Sequence, residues 1–370
     1  MKTINLSFIG ALLLLSTLEY CSEPPAKSQE MQYYTVNDYD TVDKFDTHVH
    51  INTNDSSFIE MARRNKFNLV SLNVAAPGYP TIEDQQNFTT RHLKNYPSGF
   101  AYTTTFNIEH LDDKNWASKT LAYLKSSFER GAIGVKVWKN IGMEYKNKDG
   151  KFVMIDNFQL DTIFDFIEAN DKTLVGHLGE PRNCWLPLDQ MTVKNDHDYF
   201  KEHPEYHMFL HPDYPSYEDQ INARDHMLRK HPKLRFDGAH LGSLEWNLGA
   251  LSKHLDSFPE MAVDMAARIP HIQYLTQKDR DSVYDFFIKY QDRMLYATDT
   301  EIDDSMDIPK KLKEFEATWK NNWQFFVTDD SLQVAEVEGK FRGLHLPKEV
   351  VDKIYRKNAM RWFPAFKINE

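Results

Sequence analysis

Cysteine is almost missing. The 370 residues hold two, Cys21 and Cys184, which excludes the disulfide framework of small secreted domains. Basic excess is missing as well: 44 Lys and Arg stand against 55 Asp and Glu, a formal net charge of -11. An acidic chain without a basic stripe repels phosphate backbones, so nucleic acid is excluded as a partner and nuclease chemistry as an activity. Internal repeats and low-complexity tracts are absent, and no apolar run reaches the roughly 20 residues that span a bilayer. What is present is ordinary globular composition, 41% hydrophobic and 27% charged, in a chain long enough for one large α/β barrel or two medium domains.

Residues 1–21 stand apart. Lys2 precedes an apolar core, Phe8 to Leu15, that is too short to span and reads as an export signal. Cys21 follows closely, with Leu18 ahead of it. This stretch resembles a bacterial lipoprotein signal, in which the cysteine becomes the lipidated first residue. The resemblance implies an exported protein anchored to a membrane only through Cys21. Simple cleavage, leaving a free periplasmic protein, is the alternative. Residues 22–40 are polar and contain proline, as a flexible tether does, and 41–370 is read as the folded domain.

Within that domain, short apolar runs alternate with helical patterns: "KFDTHVH", "FNLVSLNV", "GFAYTTTFNI", "AIGVKVWK", "KTLVGHLG", "LRFDGAHLG", "MAVDMAAR" and "RMLYATDT". Eight strands separated by helices predict a (β/α)8 TIM barrel with a parallel sheet. Long loops follow strands four, five and eight, and helices at the C-terminus cover the barrel. "YKNKDGKFVMID" predicts a hairpin turning at Asp149-Gly150. The segment 179–215, rich in Trp, His, Tyr and Pro, predicts a lid or pocket wall.

Side chains alternate along a strand, so Asp46, His48 and His50 are expected on one face. His177, His240 and Asp299 also lie near the ends of their apolar runs, and a barrel brings strand ends together. Imidazole and carboxylate suit zinc or a similar divalent ion, and three or four ligands with an open position make a catalytic site. His48, His50, His177 and Asp299 supply that set. Water bound to such an ion ionises near pH 7. Asp299 is then placed to take its proton, and His240 to stabilise developing charge or act as general acid. The bland reading of any one histidine is solvated surface, since the chain has fifteen. The joint placement of five such residues is what argues for a site.

The motifs "DTHVH", "GVKVW", "GHLGEP", "GAHLG" and "YATDT", with the closing "LHLPKEVVDKIYRKNAMRWF", resemble the metal-dependent amidohydrolase superfamily, in its amidohydrolase-related family 2 branch. The resemblance runs over about residues 43–366. It implies metal chemistry without naming a substrate. In binuclear amidohydrolases a strand-four lysine is carboxylated and bridges two metals. If Lys136 does so, His48, His50 and Asp299 bind one ion, and His177 and His240 the second. In the branch this chain resembles, a single ion is the commoner pattern. Lys136 otherwise contacts a substrate carboxylate or forms a structural ion pair.

Arg268 is expected either to clamp an anionic group or to sit in a rim salt bridge. Asp264 is expected to pair with a neighbour. Glu180 either orients a ligand or caps its turn. Trp138, Trp185, Tyr214 and Tyr217 either line the pocket or pack the lid, and Cys184 has no visible activating base. The leading expectation is a hydrolase acting on an amide, ester or lactone carbonyl of a small molecule. A non-oxidative decarboxylase on the same site is the alternative. A catalytically silent ligand-binding lipoprotein is a third reading, and the intact ligand set argues against it. The sequence does not set the oligomeric state.

Overall fold

Strand runs that are apolar throughout must be covered on both faces, which demands helices outside and a packed interior within. The computed structural model describes residues 31–368. The leader 1–21 and residues 22–30 of the expected tether lie outside the described residues. Every predicted run forms a strand: β1 Lys44–Asn52, β2 Phe67–Leu72, β3 Phe100–Thr105, β4 Gly134–Val137, β5 Thr173–Gly176, β6 Phe236–Gly238, β7 Met261–Asp264 and β8 Met294–Leu295. A ninth strand that was not predicted, β9 Thr300–Asp303, starts at the last residue of the eighth run. They pair in parallel in the order β8-β7-β6-β5-β4-β3-β2-β1-β9. The break between β8 and β9 stays bonded on both sides. Ala267 N donates to Thr298 O (3.2 Å), Thr47 N to Tyr296 O (3.1 Å) and Asp299 N to His48 O (2.9 Å). The sheet thus curls until its eighth strand meets its first, as a TIM barrel requires.

The core has two parts. Val49 and Ile51 of β1 join a large cluster with Phe58, Phe67 and Trp319 beneath the helices. A smaller cluster collects Val70, Ala101, Val175, Ala262 and Leu295 from different strands inside the barrel, closed by Trp362 and Phe363 of the C-terminal segment. Trp319 stacks on Phe67 at 4.2 Å, so the helix Ile308–Val327 packs on the barrel as its Leu312-Phe315-Trp319 spacing predicts.

Two expectations are corrected here. Against β2, Asp46 pairs with Leu69 but Val49 with Ser71, so β1 holds a one-residue bulge. An extra residue reverses the alternation of faces. Asp46 therefore does not share the face of His48 and His50. It turns to the helix layer and accepts from Trp319 Nε1 (2.9 Å), Thr298 Oγ1 (2.7 Å) and Thr298 N (3.0 Å). The tether boundary at residue 40 is also too late. Val36–Asp40 forms a 3-10 turn, Tyr39 is buried, and Tyr34 Oη donates to Asp352 Oδ1 (2.7 Å). Lys44, fully buried, holds this segment by donating to Tyr39 O (2.5 Å) and Val42 O (2.7 Å).

The segment after β5 is an ordered cap. It contains helix Lys194–Glu202 and four 3-10 turns, built round a small core of Met143, Cys184, Phe200 and Met208. Its helix was not predicted. The hairpin after β4 is present as a bridge between Lys146 and Phe152. Among the described residues, no helix is long and apolar enough to cross a membrane.

Candidate metal centre

The barrel brings His48, His50, His177, His240 and Asp299 to one end. Their ring orientations are set by what each imidazole gives away. His48 Nδ1 donates to Asp264 Oδ2 (2.7 Å), His50 Nδ1 to Leu72 O (2.7 Å) and His240 Nδ1 to Ala266 O (2.9 Å). An imidazole whose Nδ1 carries the proton presents a free Nε2 lone pair, the form in which histidine ligates metals. Asp299 Oδ1 stands 3.1 Å from His48 Nε2 and 3.4 Å from His50 Nε2. Ligand atoms of His48, His240 and Asp299 all lie within 4.8 Å of one another. His177 Nδ1 is 3.2 Å from His240 Nε2. Its own Nε2 is buried without a hydrogen-bond partner, since Glu180 Oε2 is 3.5 Å away.

The backbone carries these groups in unusual conformations. Asp299 has φ +67°, and His240, Leu241, Gly242 and Ser243 have φ +60°, +56°, +59° and +57°. Non-glycine residues in this region are strained by about 1–3 kcal/mol each and persist only where their surroundings hold them. Here the strand ends bend so that the side chains converge.

Burial governs the charges. It pushes His48 down, helped by the charge of Lys136, and pushes His177 down to about 4. His240 lies well below its ordinary range because of burial and the neighbouring His177. Burial would raise Asp299, but His240, His48 and His50 outweigh it and hold the carboxyl well below the usual range. His48, His177 and His240 are thus neutral imidazoles beside a carboxylate, which is the donor set a borderline divalent cation takes. Such residues fit a metal.

Lys136 is buried below the mouth and its Nζ donates to His48 Nε2 (3.2 Å). Burial lowers it to about 8, with Asp264, Asp299 and Asp237 pulling the other way. Arg268 lies at the rim, with Nη1 donating to Ala267 O (3.0 Å) and Nε unpartnered. The strand does not stay extended from Asp264 to Arg268, because Ala267 has φ +52°. Trp138 is half-buried, with Lys139 Nζ 5.2 Å over its ring. Trp185 packs on Tyr217 (5.4 Å) and Tyr214 on Phe152 (4.7 Å).

Several neighbours escaped sequence reasoning. Lys139 forms a buried ion pair with Glu180, 41 residues on, and Lys139 with His177 outweighs burial to keep Glu180 ionised. Tyr79 Oη donates to Glu301 Oε2 (2.9 Å) beside the His50 ring (5.6 Å). Beyond Tyr79 a groove of about 770 Å³ runs past Asn107, Glu109, Asn140 and Glu144. Within the barrel, Asp237 has both oxygens unpartnered, and burial with Asp264 pushes it well up. The Lys136 charge opposes that rise.

A parallel α/β barrel with a histidine and carboxylate cluster at its mouth defines a class that comparison with known proteins narrows. The amidohydrolase family model (Amidohydro_2) matches residues 110–365, more than half of the chain, and the chain belongs to that family. The matched span begins after β1, so His48 and His50 lie outside it. No curated protein matches the chain. Among solved structures it is similar to an uncharacterised TIM-barrel protein of Bordetella bronchiseptica (12% identity, 88% of this chain and 99% of that one, TM-score 0.50). It is also similar to an amidohydrolase II (14%, 87% and 99%, TM-score 0.50). A Rhizobium 2,6-dihydroxybenzoate decarboxylase matches at 15% identity over 87% and 98%, with TM-score 0.49. At these identities the likeness is one of fold.

Proposed function

We propose that the protein is an exported, metal-dependent hydrolase of small molecules that cleaves an amide, ester or lactone. The observation that carries this reading is the convergence of His48, His240 and Asp299 within 4.8 Å, with His48 and His240 pre-set by their Nδ1 bonds. His48, His50, His177 or His240, and Asp299 would hold one divalent cation, for which zinc is our choice. A bound zinc supplies activation of water at neutral pH and polarisation of a carbonyl.

The chain's own groups do the rest. Asp299, held ionised, takes a proton from the attacking water and delivers it to the leaving group. His240, whose Nδ1 donates to Ala266 O, would steady the charge that develops on the carbonyl oxygen once its Nε2 has taken up a proton. Lys136 donates to the Nε2 lone pair of His48, and would give up that bond if His48 held the ion. Arg268 and Trp138 stand at the rim to orient the substrate. The side chain of Asp299 is 30% exposed, which leaves the mouth a way in past the cap. Anchoring through a lipid on Cys21 belongs to the same proposal and rests on residues 2–21 alone.

The test is turnover of an amide, ester and lactone panel by zinc-loaded protein, with released carbon dioxide followed in parallel. Hydrolysis that disappears in Asp299→Asn supports the reading. Carbon dioxide release without hydrolysis replaces it with decarboxylation. Stoichiometric metal with neither product favours ligand capture.

A further inference from the structure

Three turns at the barrel mouth share one support. Helix Tyr217–Lys230 starts at a capping box between Ser216 and Asp219. It buries Tyr217, Gln220 and Arg224, which fall on one helical face. Gln220 Nε2 donates to Gly142 O (2.8 Å) in the turn after β4. The same side chain packs against Gly179 in the turn after β5, where an added Cβ would lie 3.2 Å from Gln220 Cβ. Arg224 Nη1 donates to Gly242 O, and Tyr217 Oη to Ser243 O, in the turn after β6. Ser243 Oγ links the last two turns, lying 3.1 Å from Leu178 O and 3.3 Å from Gly179 O.

The turn after β6 needs this support. Four consecutive left-handed residues, three of them not glycine, are not a conformation the chain adopts unaided. Relaxation of that turn would swing His240, its first residue. Movement of the Gly179 turn would carry His177, two residues earlier.

We infer that Tyr217, Gln220 and Arg224 are positioning residues: one helix face fixes the turns after β4, β5 and β6, and so places the His177 and His240 rings at the mouth. None of the three touches a metal ligand's ring or a reacting atom. The inference rests on the proposed function in treating those two histidines as part of the centre.

The experiment uses Gln220→Ala, Gly142→Ala, Tyr217→Phe and, as control, the exposed Asn222→Ala on the same helix. Two quantities are read. One is the ring signals of His177 and His240 in metal-free, histidine-labelled protein, assigned with His177→Gln and His240→Gln. The other is Zn²⁺ affinity by chelator competition. A Cβ on Gly142 would stand 2.2 Å from Gln220 Oε1, so Gly142→Ala must displace Gln220. Both Gln220→Ala and Gly142→Ala are expected to shift both ring signals and weaken Zn²⁺ binding about tenfold, with Asn222→Ala unchanged. Tyr217→Phe removes one hydroxyl, is the mildest change, and is expected to shift His240 alone. Ring signals that stay at their wild-type positions in every variant that folds overturn the inference. If wild-type protein binds no Zn²⁺ yet the rings shift, the proposed function fails and the brace stands.

Discussion

His48 donates Nδ1–H to Asp264 Oδ2 at 2.7 Å, and the same carboxylate receives the backbone N–H of His240 through Oδ1 at 2.8 Å. One buried side chain thereby orients the imidazole of His48 and fixes the backbone of His240, far apart in sequence. Burial works against its charge, but His48 and Lys136 outweigh burial and hold Asp264 below the ordinary carboxylate range.

Replacing Asp264 by Asn keeps the volume and removes the charge. Orienting carboxylates of metal-bound histidines contribute about 10–100-fold to metal affinity. Asp264→Asn is expected to weaken Zn²⁺ binding by that factor while the circular dichroism spectrum stays that of the wild type. Chelator competition measures it, and unchanged affinity would remove Asp264 from the centre.

Lys44 provides a pH signature far from the mouth. Burial lowers it from 10.5 to about 7, despite its two carbonyl acceptors. In the unfolded chain the lysine keeps its proton to about pH 10.5, whereas in the folded chain it loses it near 7. Between those limits the unfolded state holds more protons, so this group makes stability rise with pH, by up to about 1.4 kcal/mol per pH unit. Urea unfolding from pH 7 to 10 is expected to show a steeper rise for wild type than for Lys44→Met. Parallel curves would mean that Lys44 stays charged in the fold.

Much of this was legible in the sequence, and the gaps have physical causes. Strands declare themselves through apolar runs, and barrel geometry then puts His48, His50, His177, His240 and Asp299 at one end. The face of Asp46 was misread because a one-residue bulge leaves no mark in an apolar-polar pattern. The ion pair of Lys139 with Glu180 joins residues on different strand ends, and nothing local announces it. The cap helix Lys194–Glu202 reads "KNDHDYFKE", too polar to show an apolar stripe. It is held by tertiary contacts, with Asp196 Oδ2 accepting from Asn183 Nδ2 and His271 Nε2 at 2.9 Å each.

Those contacts make the cap testable. His271 and Asp196 are both buried, so truncating His271 leaves the buried Asp196 carboxylate with Asn183 as its remaining side-chain partner, a loss of about 1–3 kcal/mol. The loss falls on the cap rather than the barrel, because local stability follows local contacts. His271→Ala is expected to speed limited proteolysis within 183–215 by at least about tenfold, with barrel fragments surviving. Equal cleavage rates would mean that the cap is held elsewhere.

The central claim is that the mouth cluster holds one catalytic divalent cation. Metal content of protein equilibrated with Zn²⁺ and freed of excess tests it directly, in wild type, His48→Ala and Asp299→Ala. About one zinc per chain is expected in the wild type, falling to near none in both variants while each stays folded. Full metal retained in both variants, or none in the wild type, contradicts the account.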